Sequence, residues 1–379
     1  MHDWDVATDA TPDTVQRLFP RTVPTGVEFG TVTVIVDTGP VQVTTFRQEG
    51  GYRDARHPGW VTFGRRVEDD LLRRDLTINA LAYDPATGRL VDPTGGQRDL
   101  ADGIIRTVGD PVARFQEDAL RLLRAVRLAS QLGFHLDGRT AAAIRLCAPR
   151  LQHVSRERVG EEWRRLLGST GAGGGLALLY QTRLLPWVLP GAPKVDRLSV
   201  HRTGSALQRL AASDPVTKMA AVLYGLSRPD TDAALLKSLV YPRQMSRQAV
   251  HLVECLREYR ADRVASDSGL RRFLARVGRA LIPAFIDLWH AWQPSEPERL
   301  GADMISHVQS VISSGAALSP GELAIDGTDV QQAAGIRPGP QVGSLLMRLW
   351  EHVLEHPADN SRERLLALVR IWTAGERRP

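Results

Sequence analysis

Hydrophobic positions alternate with polar ones in the first third of the chain. The stretches EFGTVTVIVD (28–37) and VQVTTFR (41–47) carry an apolar side chain at nearly every second position, which is typical of β-strands that bury one face. Thr38-Gly39-Pro40 lies between them and predicts a hairpin turn. Before them, TPDTVQRLFP (11–20) predicts a short helix with Thr11 as N-cap and Pro12 as its first residue.

The apolar pattern changes to a helical period near residue 112. From RFQEDALRLLRAVRLASQLGF (114–134) onward the chain reads as helix, interrupted at GSTGAGGG (168–175), LPGAPK (189–194) and WQPSEPERLG (292–301). The pattern predicts an α+β protein, in which a small mixed domain of strands and helices precedes several helical modules. GSTGAGGG is not followed by Gly-Lys-Ser/Thr, which excludes a P-loop and favours an interhelical linker.

Composition and charge narrow the class of protein. The chain has 379 residues, a mean hydropathy of −0.20 and no apolar run near the roughly 18 residues that span a bilayer. Its two cysteines, Cys147 and Cys255, lie in helical segments, which fits a reducing, cytoplasmic location. Residues 1–112 hold 12 Arg and 17 acidic residues, whereas 113–175 hold 11 Arg and 6 acidic residues. An acidic first part followed by a basic one fits a metal site beside a polyanion-binding surface, although ordinary surface variation gives the same pattern.

Two carboxylates lie at alternate positions at the start of the chain. If DWDVATD is a strand, Asp3 and Asp5 project from one face. Adjacent carboxylates repel each other, and a divalent cation is a common reason to keep them together. A frayed terminus with solvated acids is the alternative from position alone.

Two further stretches combine charged residues at short spacing. In LLRRDLTINALAYD (71–84), Arg74 can hold a phosphate, or it can belong to a salt-bridge network with the preceding acids of the segment. In FQEDALRLLRAVRLASQLGF (115–134) four charged residues follow at spacings of three along a predicted helix; they are Asp118, Arg121, Arg124 and Arg127.

The pair Asp118 and Arg121 has two interpretations. The first is an ordinary surface ion pair of neighbouring turns, worth a few tenths of a kcal/mol. In the second, Asp118 accepts from the amino group of cytosine or adenine and Arg121 donates to the adjacent ring nitrogen. Uracil and guanine present the reverse order of groups and are rejected, because polar atoms are left unpaired.

Taken together, these stretches resemble the class II tRNA nucleotidyltransferases (CCA-adding enzymes) of the poly(A) polymerase head-domain family. The motifs that carry the resemblance are DWDVATDATP, GTVTV, VTTFR, YRDARHPGWVTFG, EDDLLRRDLTINALAYD, VDPTGGQRDLADGIIRTVGDPVARFQEDALRLLRAVRLASQLGF, SRERVGEEW and LAIDGTDVQQAAGIRPGPQVGSLL. The last is similar to the tail of bacterial members without a phosphohydrolase domain. The resemblance implies a nucleotidyltransferase head (1–112), a helical neck (113–175), a helical body (176–260) and a helical, tRNA-binding tail (261–379).

The resemblance also implies roles for individual residues. Asp3 and Asp5 are expected to bind two Mg²⁺ ions for nucleotidyl transfer from CTP and ATP to the 3′-hydroxyl of tRNA. Arg74 is expected to contact the nucleotide, Asp118 and Arg121 to read its base, and Arg124 and Arg127 to complete the pocket. YRDARHPGWVTFG (52–64) matches the flexible loop linked to the switch from C to A addition.

Two departures from the family pattern keep other functions open. The usual strand and helix with Gly-Gly-x-x-Arg-Asp does not precede Asp3, so the head is expected to be truncated at its N-terminus or the start site to be misassigned. Gln42 stands where the family commonly has a third acid. The alternatives to CCA addition are therefore a poly(A) polymerase of the same superfamily and a catalytically impaired tRNA-binding remnant.

Overall fold

The computed structural model describes residues 4–51, 59–193, 195–292 and 298–376. The chain folds into two compact units. The first comprises Met1–Ala211 and Gly225–Pro242, and the second comprises Ala212–Tyr224 and Arg243–Pro379. The subdivision into four modules at residues 112, 175 and 260 stays a prediction.

The strands of the described residues lie in the first unit and alternate with short helices. Their bounds, from β1 to β10, are Asp5–Thr8, Thr22–Gly26, Thr31–Val36, Gly39–Thr45, Arg47–Gly50, Trp60–Phe63, Ala82–Asp84, Arg89–Val91, Ile104–Ile105 and His135–Leu136.

The helices fill the rest of the described chain. Those of the first unit, α1 to α10 and α12, are Pro12–Leu18, Val67–Leu72, Gly96–Asp102, Pro111–Glu117, Leu120–Leu132, Gly138–Cys147, Arg156–Leu167, Ala172–Gln181, Leu185–Val188, Arg197–Arg209 and Asp232–Ser238. Helix α11, Pro215–Leu226, lies mostly in the second unit. The remainder, α13 to α19, are Arg243–Glu258, Asp267–Val277, Ile282–Trp292, Glu298–Ser313, Gly327–Ala334, Pro340–Glu355 and Arg362–Glu376.

The first unit contains a four-stranded mixed sheet with the strand order β1-β4-β3-β2. Strand β1 is parallel to β4, which places Asp5 beside Gln42, and β3 is antiparallel to β4. The predicted hairpin is confirmed, but Asp37 and Thr38 make its turn, and Gly39 already pairs with Val36. Two-residue connections suit the twist of paired strands, which favours this shorter turn over the predicted three residues.

The alternating pattern places the core as predicted. Val32 and Val34 of β3, Val43 of β4 and Val15 of α1 are buried together. Helix α1 begins at Pro12 with Thr11 as N-cap, which confirms the predicted start. The α+β class predicted from the sequence is confirmed.

The glycine-rich stretch 168–175 differs from the predicted linker, because α8 begins inside it at Ala172. A Cβ atom at Gly171 would lie 2.0 Å from the Ser130 carbonyl oxygen, and one at Gly173 would lie 2.4 Å from that of Gly204. The glycines therefore permit helices to pack closely and are not mainly a flexible connection.

Across the described residues, we find no helix that combines the length and the apolar character needed to cross a membrane.

Candidate functional site

A cavity of about 570 Å³ opens in the first unit and collects the charged residues that the sequence singled out. It is lined by Asp5, Arg73, Arg74, Asp75, Asn79, Asp118, Leu120, Arg121, Arg124, Arg127, Leu128 and Arg158. The predicted residues Asp5, Arg74, Asp118, Arg121, Arg124 and Arg127 thus border one space. Asp3 and residues 52–58 of the predicted flexible loop lie outside the described residues. Six arginines against three aspartates give the lining an excess of positive charge, which attracts polyanions.

Asp118 does not lie on the helix that carries the three arginines, contrary to the sequence prediction. It ends α4 in an extended conformation (φ −142°, ψ 108°), and α5 begins two residues later at Leu120. Its Oδ1 accepts from the backbone N–H of Leu120 at 2.9 Å, and its Oδ2 accepts from Arg158 Nη2 at 2.7 Å. A short polar side chain that binds a nearby backbone N–H competes with the helical backbone, which explains the break at this point.

Arg121 pairs with a different acid from the one expected. Its Nη1 lies 2.5 Å from Oε2 of Glu117, which also accepts from Arg114 Nη1 at 3.0 Å. The interpretation of Asp118 and Arg121 as an ordinary ion pair is therefore wrong, because Asp118 pairs with Arg158 and Arg121 pairs with Glu117. The side chains of both line the cavity, with Arg121 held by Glu117 and Asp118 held by Arg158.

Arg124 crosses from α5 to the segment after α2 and pairs with Asp75. Its Nε lies 2.7 Å from Asp75 Oδ2, while Oδ1 accepts from Asn79 Nδ2 at 3.2 Å. Burial by itself raises the pKa of Asp75, but the charge and hydrogen bond of Arg124, with help from Asn79, outweigh it and hold the pKa below its usual value. Asp75 is thus a fixed anion that orients Arg124 along the cavity.

Arg74 belongs to a salt-bridge network and also lines the cavity. The carboxylate of Asp70 is almost fully buried and accepts from Arg73 Nη2 at 2.6 Å and from Arg74 Nη2 at 3.1 Å. A salt-bridge network is therefore present, as one interpretation held. The Arg74 side chain nevertheless keeps about a third of its surface exposed, at 34%, on the cavity wall.

Arg127 is the most buried of the predicted arginines of α5. Its Nε lies 2.6 Å from Oε2 of Glu162 on α7, and its Nη1 donates to Gln131 Oε1 at 2.6 Å. Only 8% of the surface of Arg127 is exposed, because the residue lies between α5 and α7 at the wall of the cavity.

A smaller cavity, of about 230 Å³, adjoins Asp5 at the sheet. Asp5, Gln42 and Thr44 all line it and offer carboxylate, amide and hydroxyl oxygens. Such oxygens are ligands for a hard divalent cation, whereas Arg47, Arg73 and Arg74, which line the same cavity, add positive charge. Within residues 4–51, 59–193, 195–292 and 298–376, no three acidic, histidine or cysteine side chains gather to hold a metal. Asp5 is the only carboxylate among the described residues that line this smaller cavity.

Four further polar residues of the cavity wall were not predicted from the sequence as members of the site; they are Arg73, Asp75, Asn79 and Arg158. Arg158 lies within the quoted motif SRERVGEEW, but the motif alone gave no partner for it. Its partner Asp118 lies 40 positions away, so only the packing of α7 reveals the pair.

Three family models match the chain in succession. The poly A polymerase head domain matches residues 1–106, the probable RNA and SrmB-binding site of polymerase A matches 133–195, and the putative tRNA nucleotidyltransferase domain 2 matches 213–369.

Relatives and solved structures agree with these models. The chain is 37% identical over 369 residues to the CCA-adding enzyme of Geobacillus kaustophilus (strain HTA426), covering 96% of this chain and 87% of the relative. It is 33% identical over 377 residues to that of Enterococcus faecalis (strain ATCC 700802 / V583), covering 98% and 87%. The Bacillus stearothermophilus CCA-adding enzyme, solved in complex with CTP, superimposes with a TM-score of 0.81 at 32% identity, covering 99% of this chain and 90% of that one. The chain therefore belongs to the family of CCA-adding enzymes, which are nucleotidyltransferases.

Proposed function

We propose that this chain adds C, C and A to the 3′ end of tRNA without a template, using CTP and ATP and releasing pyrophosphate. One observation carries the proposal: Asp118 and Arg121 border the same arginine-lined cavity, each held by a partner of its own. The relative of known structure that was solved with CTP supports a nucleotide as the occupant.

The basic lining suits a nucleoside triphosphate. Arg74, Arg124 and Arg127 border the cavity together with Arg73 and Arg158. Guanidinium groups bind phosphate oxygens with two parallel N–H donors, and they stay charged at every physiological pH. In our proposal Arg74 contacts the nucleotide, and Arg124 and Arg127 complete its pocket.

Base selection follows from the two groups at the junction of α4 and α5. The Asp118 carboxylate takes the amino group of cytosine or adenine, and Arg121 donates to the neighbouring ring nitrogen. The hydrogen bond that Arg158 donates to Asp118 orients this carboxylate at the cavity wall. Uracil and guanine are disfavoured because their carbonyl group meets another acceptor.

The catalytic centre is proposed at Asp5 together with Asp3. The two carboxylates hold Mg²⁺, with Gln42 beside Asp5 as a neutral oxygen donor. When bound, the cation supplies activation of the RNA 3′-hydroxyl and neutralisation of charge on the triphosphate. Asp5 lines both cavities, and this supports a reaction at the point where they adjoin.

Binding of tRNA is proposed to rest on charge and shape. The chain carries a net charge of +5, and its helical part is the basic one. Proteins that read the shape of RNA contact phosphates and 2′-hydroxyl groups, so their affinity falls steeply with salt. A tRNA affinity that stays flat between low and high salt would contradict this part of the proposal.

Gln42 supports a second candidate function, that of a tRNA-binding protein with impaired catalysis. Gln42 lies opposite Asp5 in the sheet and brings no charge to the proposed metal site. Lower affinity for the cation would leave a tRNA-binding protein with impaired catalysis.

A single incorporation experiment separates the candidates. Labelled CTP, ATP, UTP and GTP are offered one at a time and together, with Mg²⁺, to a tRNA that ends at its discriminator base. We expect ordered addition of C, C and A and then arrest. A continuing run of A identifies a poly(A) polymerase, and salt-sensitive tRNA binding without any product identifies the impaired remnant.

A further inference from the structure

Helix α7 presents two functional faces that point in different directions. Arg156, Gly160 and Arg164 are spaced by four residues and share one face. Arg158 and Glu162 share another face, since two residues correspond to about 200° round a helix. Each face makes a distinct set of contacts.

The face of Arg158 and Glu162 holds residues of the nucleotide cavity. Arg158 Nη2 lies 2.7 Å from Asp118 Oδ2, and Glu162 Oε2 lies 2.6 Å from Arg127 Nε. Two lining residues, Asp118 at the junction of α4 and α5 and Arg127 within α5, are thus fixed by neighbouring turns of α7.

The opposite face is anchored to the ends of other helices. The guanidinium of Arg156 donates to three carbonyl oxygens, those of Ser238 at 2.7 Å, Trp187 at 2.9 Å and Val188 at 2.9 Å. Ser238 ends α12, and the other two residues end α9. The last carbonyls of a helix lack partners within it, so Arg156 satisfies groups that are otherwise unpaired.

The anchor extends along α7 to the turn after α12. Arg164 Nη1 donates to the carbonyl oxygen of Val240 at 3.3 Å, and its guanidinium lies 5.8 Å from the centre of the Tyr241 ring. A Cβ atom at Gly160 would lie 2.0 Å from the carbonyl oxygen of Leu239, so only glycine permits this approach.

The turn that receives these contacts has an uncommon backbone conformation. Tyr241 N–H donates to Leu236 at 3.1 Å and Val240 N–H donates to Lys237 at 3.0 Å, the two hydrogen bonds of a Schellman motif. The residue at its left-handed position is usually glycine, but here it is Val240, with φ of +49°. A β-branched residue is rare in that conformation and persists where surrounding contacts hold it.

We propose that Arg156 and Arg164 are positioning residues for nucleotide selection: they anchor α7 to the turn 238–240, so that its opposite face fixes Asp118 and Arg127. The proposal rests on the proposed function for its kinetic consequence. Arg156 and Arg164 do not line the cavity, but in this proposal they set the geometry of Asp118 and Arg127, which do.

The test compares Arg156→Lys and Arg164→Gln with Arg165→Ala. Lysine keeps the charge of Arg156 but cannot reach three carbonyls with a fixed fork of donors. Arg165 lies on the same helix, pairs with exposed Glu161 and touches neither the turn nor the cavity, so it is the matched control. Each protein is assayed well below its own Tm for kcat and KM with CTP, and for misincorporation of UTP.

Amide hydrogen exchange in the segment 115–123 gives a readout that does not need turnover. It reports the Leu120 N–H, which donates to Asp118. We expect faster exchange there in Arg156→Lys and Arg164→Gln, with kcat/KM for CTP lowered about tenfold or more and UTP misincorporation raised, since small misplacements of contact groups slow catalysis strongly. Arg165→Ala should match the wild type in all three.

The outcomes separate this proposal from the proposed function. Unchanged exchange in both folded variants overturns the positioning role, and so does faster exchange with wild-type kinetics and selection. If the wild type adds no nucleotide, the proposed function fails, and faster exchange in the two variants still supports the anchoring of Asp118 by α7.

Discussion

Arg158 Nη2 on α7 lies 2.7 Å from Asp118 Oδ2 at the junction of α4 and α5, and this contact fixes a carboxylate on the wall of the basic cavity. The same carboxylate binds the Leu120 N–H through its other oxygen. Asp118 is therefore oriented before any nucleotide arrives, which is the arrangement that selective hydrogen bonding to a base edge requires.

Replacing Asp118 by alanine should relax nucleotide choice while tRNA binding persists. The amino group of cytosine loses its acceptor, so discrimination of CTP against UTP should fall by roughly 10- to 100-fold, or about 1–3 kcal/mol. Competitive incorporation on tRNA measures the ratio. Asp102→Ala, at an exposed surface acid, is the control. Wild-type selection in the Asp118 variant would refute the base-edge template.

Replacing Asp5 by alanine or asparagine should remove incorporation and leave the fold intact. Asp5 is exposed, and the stability effect should stay within about 0.5 kcal/mol, because exposed residues contribute little to the core. We expect turnover to fall by at least about 10²-fold, comparable to the loss of one electrostatic group in an active site. Single-turnover assays and thermal unfolding check the two statements, with exposed Asp37→Ala as control. Normal turnover in the Asp5 variants would exclude the metal hypothesis.

The pair of Asp75 and Arg124 should make stability depend on pH in the acid range. The pKa of Asp75 is held below its usual value in the fold, so folding favours the charged carboxylate. This contribution is complete above the ordinary Asp pKa of about 3.9 and is lost as the pH falls through the lower folded value.

Asp75→Asn tests this dependence. At pH 7 the free energy of unfolding should fall by about 2–3 kcal/mol, less than for a fully buried pair because Arg124 is 34% exposed. Urea unfolding at several pH values should show the difference from wild type shrinking below about pH 4. A difference that is constant with pH would mean that the charge of Asp75 is not its cause.

Glycine at position 240 should stabilise the first unit. Val240 has φ of +49° and 43% of its surface exposed, so its side chain contributes little burial. A residue with a Cβ atom in the left-handed conformation costs about 1–2 kcal/mol, and glycine removes this cost. The greater conformational entropy of glycine in the unfolded chain costs about 0.5–1 kcal/mol, which is less. Urea unfolding should show a net gain of about 0.5–1 kcal/mol. Alanine at the same position should gain less, because it keeps a Cβ atom.

The two thiols should be unreactive in the folded protein. Burial raises the pKa of the Cys147 thiol, and burial raises the pKa of the Cys255 thiol to about 11 against the opposing effect of Arg276. At pH 8 both are protonated, and the thiolate is the reactive form. A colorimetric thiol reagent should therefore detect almost nothing before denaturation and two thiols per chain after it. Rapid labelling of native protein would contradict this prediction.

The sequence by itself determined several of the elements and the family. The alternation around Val32 and Val43 fixed two strands and their buried face, and the run after Leu120 fixed the buried side of α5. These patterns are local, because a side chain's direction along a helix or strand depends only on its position in the repeat. The quoted motifs added the family, which the comparisons show.

Tertiary structure decided which charges meet. Spacing predicted Asp118 on a helix beside Arg121. Packing of α7 instead pairs Asp118 with Arg158, 40 positions away, while Arg121 pairs with Glu117, four positions before it. Arg124 likewise found Asp75 across 49 positions. Burial of a charge is favourable only with a partner in good geometry, and that partner comes from whichever segment the fold brings near. The elements of the site could thus be predicted from local pattern, but the pairs that orient it depend on how distant segments pack.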